Sequence, residues 1–418
     1  MKLNVGLDVS SEKLDACFLG DEPQDIYLET SFSNDTVGAS KIKQKVLELN
    51  TKYNFERIII GMEATSIYSF HPALFFENDE DLINLKVKTF VENPRSIKKY
   101  AESYDEDKTD RNDAFFVADY FRIGRGKKSI IREEKYLALQ RLTRARYQMV
   151  EQMAKTKQHF LQNLGYKVNT LTKELAKGSS TSVFSATVID LMTEDLSLDE
   201  IAEMPLEKFA ELIQKRGRGR FKDPEKLAKT IKKAIRSSYR LGKVMTESID
   251  TILGIQAREI RSLKKSIKEF DKAIEDLVQT MPEHKCLESI PGVGPVYAGG
   301  ILAEIGQIER FTNQAGLAKY AGLTWKKHDS GKHQSENTPL RRTGNHFLRY
   351  YLVEAANSVI RHVPEYKAFY QMKAAEVPRN KHKRAVTMTA RKFTRLVYTL
   401  LSEHQLYMPQ KEVYKDKS

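Results

Sequence analysis

Four carboxylates stand where a carboxylate is either costly or doubled. Asp8 sits in the apolar run Gly6-Leu7-Asp8-Val9, and Glu63 closes the apolar run Ile58 to Met62. A lone charge in such a setting is unfavourable unless it is paired or holds a metal. Asp110 and Asp113, in Lys108-Thr109-Asp110-Arg111-Asn112-Asp113, are three residues apart and would lie side by side on one helix face. Together the four could hold two Mg²⁺ ions about 3.5–4 Å apart, with Mn²⁺ as a substitute, the arrangement that stabilises both the attacking and the leaving oxygen at phosphorus. Each acid alone has a plainer reading: Asp8 as a turn cap, Glu63 as an N-cap partner, Asp110 and Asp113 as first-turn charges favoured by the helix dipole. All four in one chain, two of them at strand ends, favour the metal.

Three other stretches could touch phosphate. Ser330 lies in Lys326-Lys327-His328-Asp329-Ser330-Gly331-Lys332-His333, followed by Arg341, Arg342 and Arg349. A serine beside glycine among cations could attack a phosphodiester, the cations easing hydroxyl ionisation and neutralising the phosphorane; composition by itself favours an ordinary surface loop. His328 and His333 lack a third ligand, which argues against zinc. The run Ile290-Pro-Gly292-Val-Gly294-Pro reads as a helix-hairpin-helix turn, whose backbone amides would bind phosphate without reading bases; an ordinary tight turn is the alternative. Arg216, Arg218 and Arg220, alternating with glycine, supply charge but no geometry, so phosphate binding and a flexible exposed turn stand level.

The elements that must position these groups follow from periodicity. Strands are expected at Leu3 to Val9, Leu14 to Leu19 and Ile26 to Phe32, then a helix to Leu49, an almost wholly apolar strand Arg57 to Met62, a helix from about Ser66 and a strand Leu85 to Val91. Three consecutive strands imply an antiparallel meander, and buried strands separated by helices imply parallel pairing, the order of an RNase H-like sheet. From Tyr136 to about Asn163 an amphipathic helix is expected. A second proline-free stretch, Glu225 to Gln279, carries Ile249, Ile252, Ile255, Ile260, Leu263, Ile267 and Phe270 near 3.5 spacing and should pair with it as an antiparallel coiled-coil stalk. Further helices are expected near Gln314 to Tyr320, Asn345 to His362 and Lys383 to Leu401.

The chain has 418 residues, 40% hydrophobic and 30% charged. That length suggests two or three domains with proper cores. No apolar run approaches the roughly 18 residues a membrane helix needs. The start does not read as a signal peptide, and two cysteines, Cys17 and Cys286, provide neither a disulfide framework nor a thiolate zinc site. A reducing cytoplasm is the expected location. Residues 1–135 carry 20 Lys and Arg against 25 Asp and Glu, residues 136–283 carry 27 against 20, and residues 284–418 carry 22 against 11. An acidic front on a basic back suits a protein holding metal at one end and a polyanion at the other.

The ordered motifs Gly6-Leu-Asp8-Val-Ser, Glu63-Ala-Thr, Lys108-Thr-Asp110-Arg-Asn-Asp113-Ala, Ile290-Pro-Gly-Val-Gly-Pro and the Ser330-Gly loop leading to Arg342-Thr-Gly-Asn-His-Phe-Leu-Arg349 make the chain resemble the DEDD transposases of insertion-sequence family number 110, also called bridge recombinases. The resemblance covers nearly everything outside residues 165–235. It implies a RuvC-like N-terminal domain (1–135), a coiled-coil stalk (136–282) with an insertion at about 165–235, and a mainly helical C-terminal transposase domain (283–418). It implies that Asp8, Glu63, Asp110 and Asp113 match the acidic tetrad and that Ser330 matches a nucleophile forming a phosphoserine link to DNA. The partners it implies are DNA at the element ends and target, a noncoding bridge RNA, and further copies of the chain as homodimer and homotetramer, with a prokaryotic, nucleoid-associated setting. The chain departs from the family's pattern in Trp325 after Gly-Leu-Thr, in lacking a glycine before Leu340-Arg-Arg-Thr-Gly-Asn, and in its long middle insertion. Two rival readings stay open: a Holliday-junction resolvase with water as nucleophile, and a nucleic-acid-binding structural protein with an inactive site. An actin-like ATPase would need a second phosphate loop and an adenosine motif, and neither is found.

Overall fold

The N-terminal strands alternate so that one set of side chains is apolar throughout while the other is interrupted by glycine and acid. The computed structural model describes residues 1–65, 67–104, 110–126, 133–194, 196–325, 329–330, 333–334, 340 and 343–409, with the side chains of 110–112, 329–330, 333 and 334 outside that set. The chain divides into two compact units, Met1–Glu133 and Glu134–Ser418.

The first unit runs β1 (Lys2–Val9), β2 (Lys13–Leu19), β3 (Ile26–Ser33), α1 (Thr36–Tyr53), β4 (Arg57–Glu63), α2 (Phe70–Asn78), α3 (Glu80–Asn84), β5 (Lys88–Glu92), α4 (Pro94–Ala101) and α5 (Asp110–Arg122). The strands form one mixed sheet in the order β3-β2-β1-β4-β5, antiparallel on the β2 side of β1 and parallel from β1 to β4 and β5. This fits the RNase H-like expectation. On one face Leu3, Val5, Leu7, Ile58, Ile60 and Met62 pack with Ile42 and Val46 of α1. On the other, Gly6 and Gly61 are register partners, and α5 lies directly over them.

The second unit opens with α6 (Glu134–Lys167), then α7 (Leu171–Gly178), α8 (Ala186–Thr193), α9 (Leu198–Glu203), α10 (Leu206–Arg216), α11 (Pro224–Arg236) and α12 (Lys243–Val278). Helices α6 and α12 lie side by side and antiparallel: Arg146 pairs with Asp271, Thr156 donates to Glu259, and Lys167 pairs with Asp250. The proline-free stretch 225–279 is divided between two helices. Ser237 and Ser238 turn their hydroxyls back onto the Lys233 and Ala234 carbonyls, closing α11, and α12 starts afresh after Gly242. The buried stripe of α12 is Ile249, Leu253, Ala257, Ile260, Leu263, Ile267, Ile274 and Val278, whereas Ile252 and Ile255 of the expected stripe are exposed. Small Ala257 carries the seam that the larger isoleucines suggested elsewhere. Serines cap the next helices: Ser185 accepts from Val188 N–H, and Ser197 with Glu200 makes a capping box.

The remainder comprises α13 (His284–Glu288), α14 (Pro295–Ile305), α15 (Gln314–Tyr320), the two-residue strands β6 (Asp329–Ser330) and β7 (His333–Gln334), α16 (His346–His362), α17 (Pro364–Ala375) and α18 (Lys381–Ser402). Tyr136, Leu139, Ile274 and Val278 at the base of the α6/α12 pair share one core with Leu302, Tyr351, Leu352 and Phe393.

Candidate active site

Two glycines decide where the acids go. A Cβ on Gly6 would meet the Ala118 nitrogen at 2.2 Å and the Ala114 carbonyl oxygen at 2.3 Å, and one on Gly61 would meet the Phe121 ring at 2.1 Å. Only bare backbone at both positions lets α5 lie this close to the sheet. Asp8 and Glu63 stand two residues beyond these glycines, so the strand alternation turns them to the same face, at the C-terminal ends of neighbouring parallel strands. Asp113 lies one residue before Ala114 on α5, and the three half-buried acids line a single pocket of about 390 Å³ together with Lys98, Tyr104 and Phe116. The ends of parallel strands where the chain order reverses are where open α/β sheets bind ligands. Asp110 opens α5 one turn earlier; its side chain lies outside the described residues.

A second group, absent from the sequence-based candidates, holds the wall of this pocket. Asp119, 1% exposed, accepts from the Tyr100 hydroxyl, from Tyr104 Oη at 3.4 Å and from Arg122 Nε at 2.6 Å. It thereby ties the segment ending α4 to α5. Burial and the neighbouring Asp119 push the Tyr100 phenol well above its usual range, which keeps it a hydrogen-bond donor. The only advance signal was an acid six residues after Asp113 in an apolar helix.

The donor set is carboxylate oxygen, which suits hard cations such as Mg²⁺ or Mn²⁺ and disfavours thiolate-seeking metals. Among the described residues no group of three or more His, Cys, Asp or Glu is drawn close enough to hold an ion. By type and by their common pocket, Asp8, Glu63 and Asp113 could nevertheless hold a divalent cation.

Ser330 belongs to the second unit. Its backbone pairs antiparallel with His333, and Trp325 forms an isolated antiparallel bridge with Leu340. Lys326, Lys327, Lys332, Arg341 and Arg342 lie outside the described residues. The return of this loop is anchored by Gly344, at φ 101°, where a Cβ would meet the Tyr320 carbonyl at 2.5 Å. Asn345 follows; its side chain caps α16 by accepting from Phe347 and Leu348 N–H and donates to Glu304 at 2.6 Å. Glu304, wholly buried, also takes two bonds from Arg144 at 2.7 and 2.9 Å and one from Gln140. Glu304 stands in an apolar helix, α14, as Asp8 stands in an apolar strand, a signal the sequence reading passed over.

The remaining candidates divide. Arg349 donates to the Ala321 carbonyl at 3.2 Å, holding the end of α15. Gly292, at φ 95°, packs against Ser358 and His362 of α16, and Gly294 is the N-cap of α14 with no atom near its absent Cβ. Arg216 is half-buried and pairs with Glu194 at 3.6 Å, whereas Arg218 and Arg220 are exposed.

Comparison with known proteins meets both segments that carry these groups. Residues 5–166 match a DEDD family profile described as Transposase, and residues 284–371 match one described as Transposase IS116/IS110/IS902 family. The chain is 25% identical over 165 residues to the transposase for insertion sequence element IS1111A of Coxiella burnetii, covering 39% of this chain and 45% of that one. It is 29% identical over 160 residues to the insertion element IS900 uncharacterized 42 kDa protein of Mycobacterium paratuberculosis, covering 38% and 39%. It is 26% identical over 161 residues to the insertion element IS116 uncharacterized 44.8 kDa protein of Streptomyces clavuligerus, covering 37% and 38%. The match thus spans less than half the length of each of these relatives. Both matched segments are thus similar to profiles described as transposases, and no described helix is long and apolar enough to cross a membrane.

Proposed function

We propose that the chain is a DNA recombinase that cuts and rejoins strands at the ends of an insertion sequence, with Ser330 as nucleophile and Asp8, Glu63, Asp110 and Asp113 as a divalent-metal site. The observation that carries this reading is the convergence of Asp8, Glu63 and Asp113 on one pocket beside the two glycines that seat α5. A divalent cation bound there would neutralise a phosphate oxygen and polarise the ester. The protein's own residues do the rest. By holding the cation, the carboxylates would set where the scissile phosphate sits, and Lys98 at the pocket wall offers it a counter-charge. Ser330 Oγ loses its proton and forms a bond to phosphorus while one strand ester bond breaks, and the departing hydroxyl takes up a proton. Attack on that phosphoserine by a hydroxyl of another strand reverses the step and joins the new strand.

Asp8 and Ser330 belong to different compact units. This division suits a dimer or tetramer in which one copy's acids meet another copy's serine. Specificity, on this reading, comes from a noncoding RNA that pairs with donor and target DNA, and residues 1–135, 136–282 and 283–418 act as metal-holding, stalk and serine domains. The exposed Arg218 and Arg220, the Gly292–Gly294 turn and the cations around Ser330 (Lys326, Lys327, Lys332, Arg341, Arg342) would contact the nucleic acid backbone.

The test is strand cleavage by the full chain across a Mg²⁺ and Mn²⁺ titration. Cleavage should require the cation and fall by about 10²–10³-fold in Asp8→Asn, Glu63→Gln and Asp113→Asn, the scale of losing electrostatic stabilisation at a reacting centre. Cation-independent cleavage that survives all three substitutions would remove the metal site from the mechanism.

A further inference from the structure

Most of the chain's surplus charge is concentrated in one short stretch. Residues 215–243 hold 12 Lys and Arg against two acids, a net of +10 in a chain whose total is +13. The preceding helices, residues 168–214, have the opposite balance, three basic residues against nine acidic. The two halves partly neutralise each other: Lys233 pairs with Glu174 at 2.8 Å, Arg240 with Asp199 at 2.8 Å and Arg216 with Glu194 at 3.6 Å. Lys229 pairs with its own helix's Glu225 at 2.5 Å, and Lys243 with Glu247 at 3.9 Å. These pairs are largely solvent-exposed, so they contribute little and open readily. Lys215, Arg218, Arg220, Lys222 and Lys226 make no ion pair among the described residues.

The geometry around α11 turns this charge into a site. Lys229, Lys232, Lys233 and Arg236 line a pocket of about 630 Å³ whose opposite wall is the turn from Glu203 to Leu206. Lys232 is only 7% exposed, and its ammonium donates to the carbonyls of Ile201 and Ala202, both at 3.0 Å, and of Met204. Those acceptors are neutral, so they satisfy its hydrogen bonds without cancelling its charge. Arg236 likewise donates to the Ala202 carbonyl at 3.2 Å. Glu203 is the one acid on the pocket wall. Where α11 ends at the pocket, Ser237 lines it, and two residues on Tyr239 is 84% exposed. A large ring left in water beside a basic groove is a stacking platform for an unpaired base.

We infer that α11 and the 237–240 turn form a binding site for the phosphodiester backbone of an unpaired nucleic acid strand, with Tyr239 stacking on a base. It uses none of the residues of the acidic pocket. The concave, cation-lined wall follows a flexible backbone, and the exposed ring has no use for bases already paired in a duplex.

The experiment measures binding of the full chain to oligo(U), oligo(dT) and a DNA duplex of equal length as salt is raised. The variant replaces Lys229, Lys233 and Arg236 with Gln, leaving the buried Lys232 in place; circular dichroism checks its fold. At about 0.7 units of slope per single-strand contact, log K against log salt should flatten by about two units, with roughly ten- to fiftyfold weaker binding near physiological salt. Tyr239→Ala should weaken both single strands with the salt slope kept. Glu225→Gln, which frees Lys229, should tighten binding about twofold and keeps the proposal testable if the triple variant fails to fold. A preference for oligo(U) over oligo(dT) would assign the site to RNA and the reverse to DNA. Unchanged affinity and slope for both single strands, or a loss confined to the duplex, would overturn the proposal. Asp8→Ala is expected to bind as wild type does, so failure of the metal site and failure of this site are told apart.

Discussion

Glu304 Oε2 accepts a 2.6 Å hydrogen bond from the side-chain amide of Asn345, the residue that also caps α16. One wholly buried carboxylate therefore joins α6, through Arg144 and Gln140, to the point where the Ser330 loop returns to the helical body. The Tyr320 hydroxyl, 3.1 Å from the same amide, and the Asn345 N–H to Tyr320 carbonyl bond at 2.6 Å close the anchor from the α15 side.

Removing the carboxylate should therefore cost stability and aim together. Glu304→Ala leaves Arg144 without its partner and should destabilise the second unit by about 3 kcal/mol, in the range for breaking a buried pair. Asn345→Ala should cost about 1 kcal/mol through its cap alone. Denaturant midpoints give these values. If Glu304 serves the loop as well as the core, Asn345→Ala should reduce strand joining far more than its small stability loss explains. Asn345→Asp would keep the cap but set a second carboxylate against Glu304, and should not restore joining.

The close seat of α5 on the sheet gives a second expectation. Gly6→Ala places a methyl 2.2 Å from the Ala118 backbone, which cannot yield as a side-chain end would. It should cost about 3 kcal/mol, the upper part of the usual overpacking range, and should weaken any Mn²⁺-induced rise in melting temperature by displacing Asp113. Gly61→Ala meets only the Phe121 ring, so its cost should be smaller. Equal effects at the two positions would contradict this account of how the acids are placed.

Much of this was legible in the residues. The alternation in β1 and the apolar run of β4 were enough to place Asp8 and Glu63 at strand ends, because a charge in such a run is conspicuous. The sheet order followed from three adjacent strands and two helix-separated ones. What escaped detection was small or long-range. Ala257 carries part of the α12 seam without a large side chain to announce it. The helix α17 was missed between stronger neighbours. Glu304 and Asp119 depend on partners far along the chain, Arg144 and Tyr100, that no local window contains.

Asp35 supplies a pH test of the first unit. Its carboxylate caps α1 by accepting from Gly38 N–H at 2.8 Å and also accepts from Ser33 Oγ at 2.8 Å; the Gly38 bond above all holds its pKa below the usual carboxylate range. A depressed folded-state pKa means stability that is present above the unfolded value, about 3.9, and is lost as pH falls through the folded one. Asp35→Asn should therefore flatten the acid limb of a stability–pH profile below about pH 4 while changing it little near neutrality. An acid limb identical to wild type would show that the cap bond does not depend on charge.

The proposed mechanism predicts a covalent bond from Ser330 to DNA that depends on the acids of the first unit. The direct measurement incubates the full chain with element-end DNA, the transcript of the flanking noncoding DNA and Mg²⁺, then resolves protein–DNA adducts under denaturing conditions and maps the modified residue by mass spectrometry. Wild type should give an adduct at Ser330, Ser330→Ala none, and Asp8→Asn little or none. Cleavage by Ser330→Ala at the wild-type rate, with no adduct in either protein, would instead make water the nucleophile and Ser330 an ordinary loop residue.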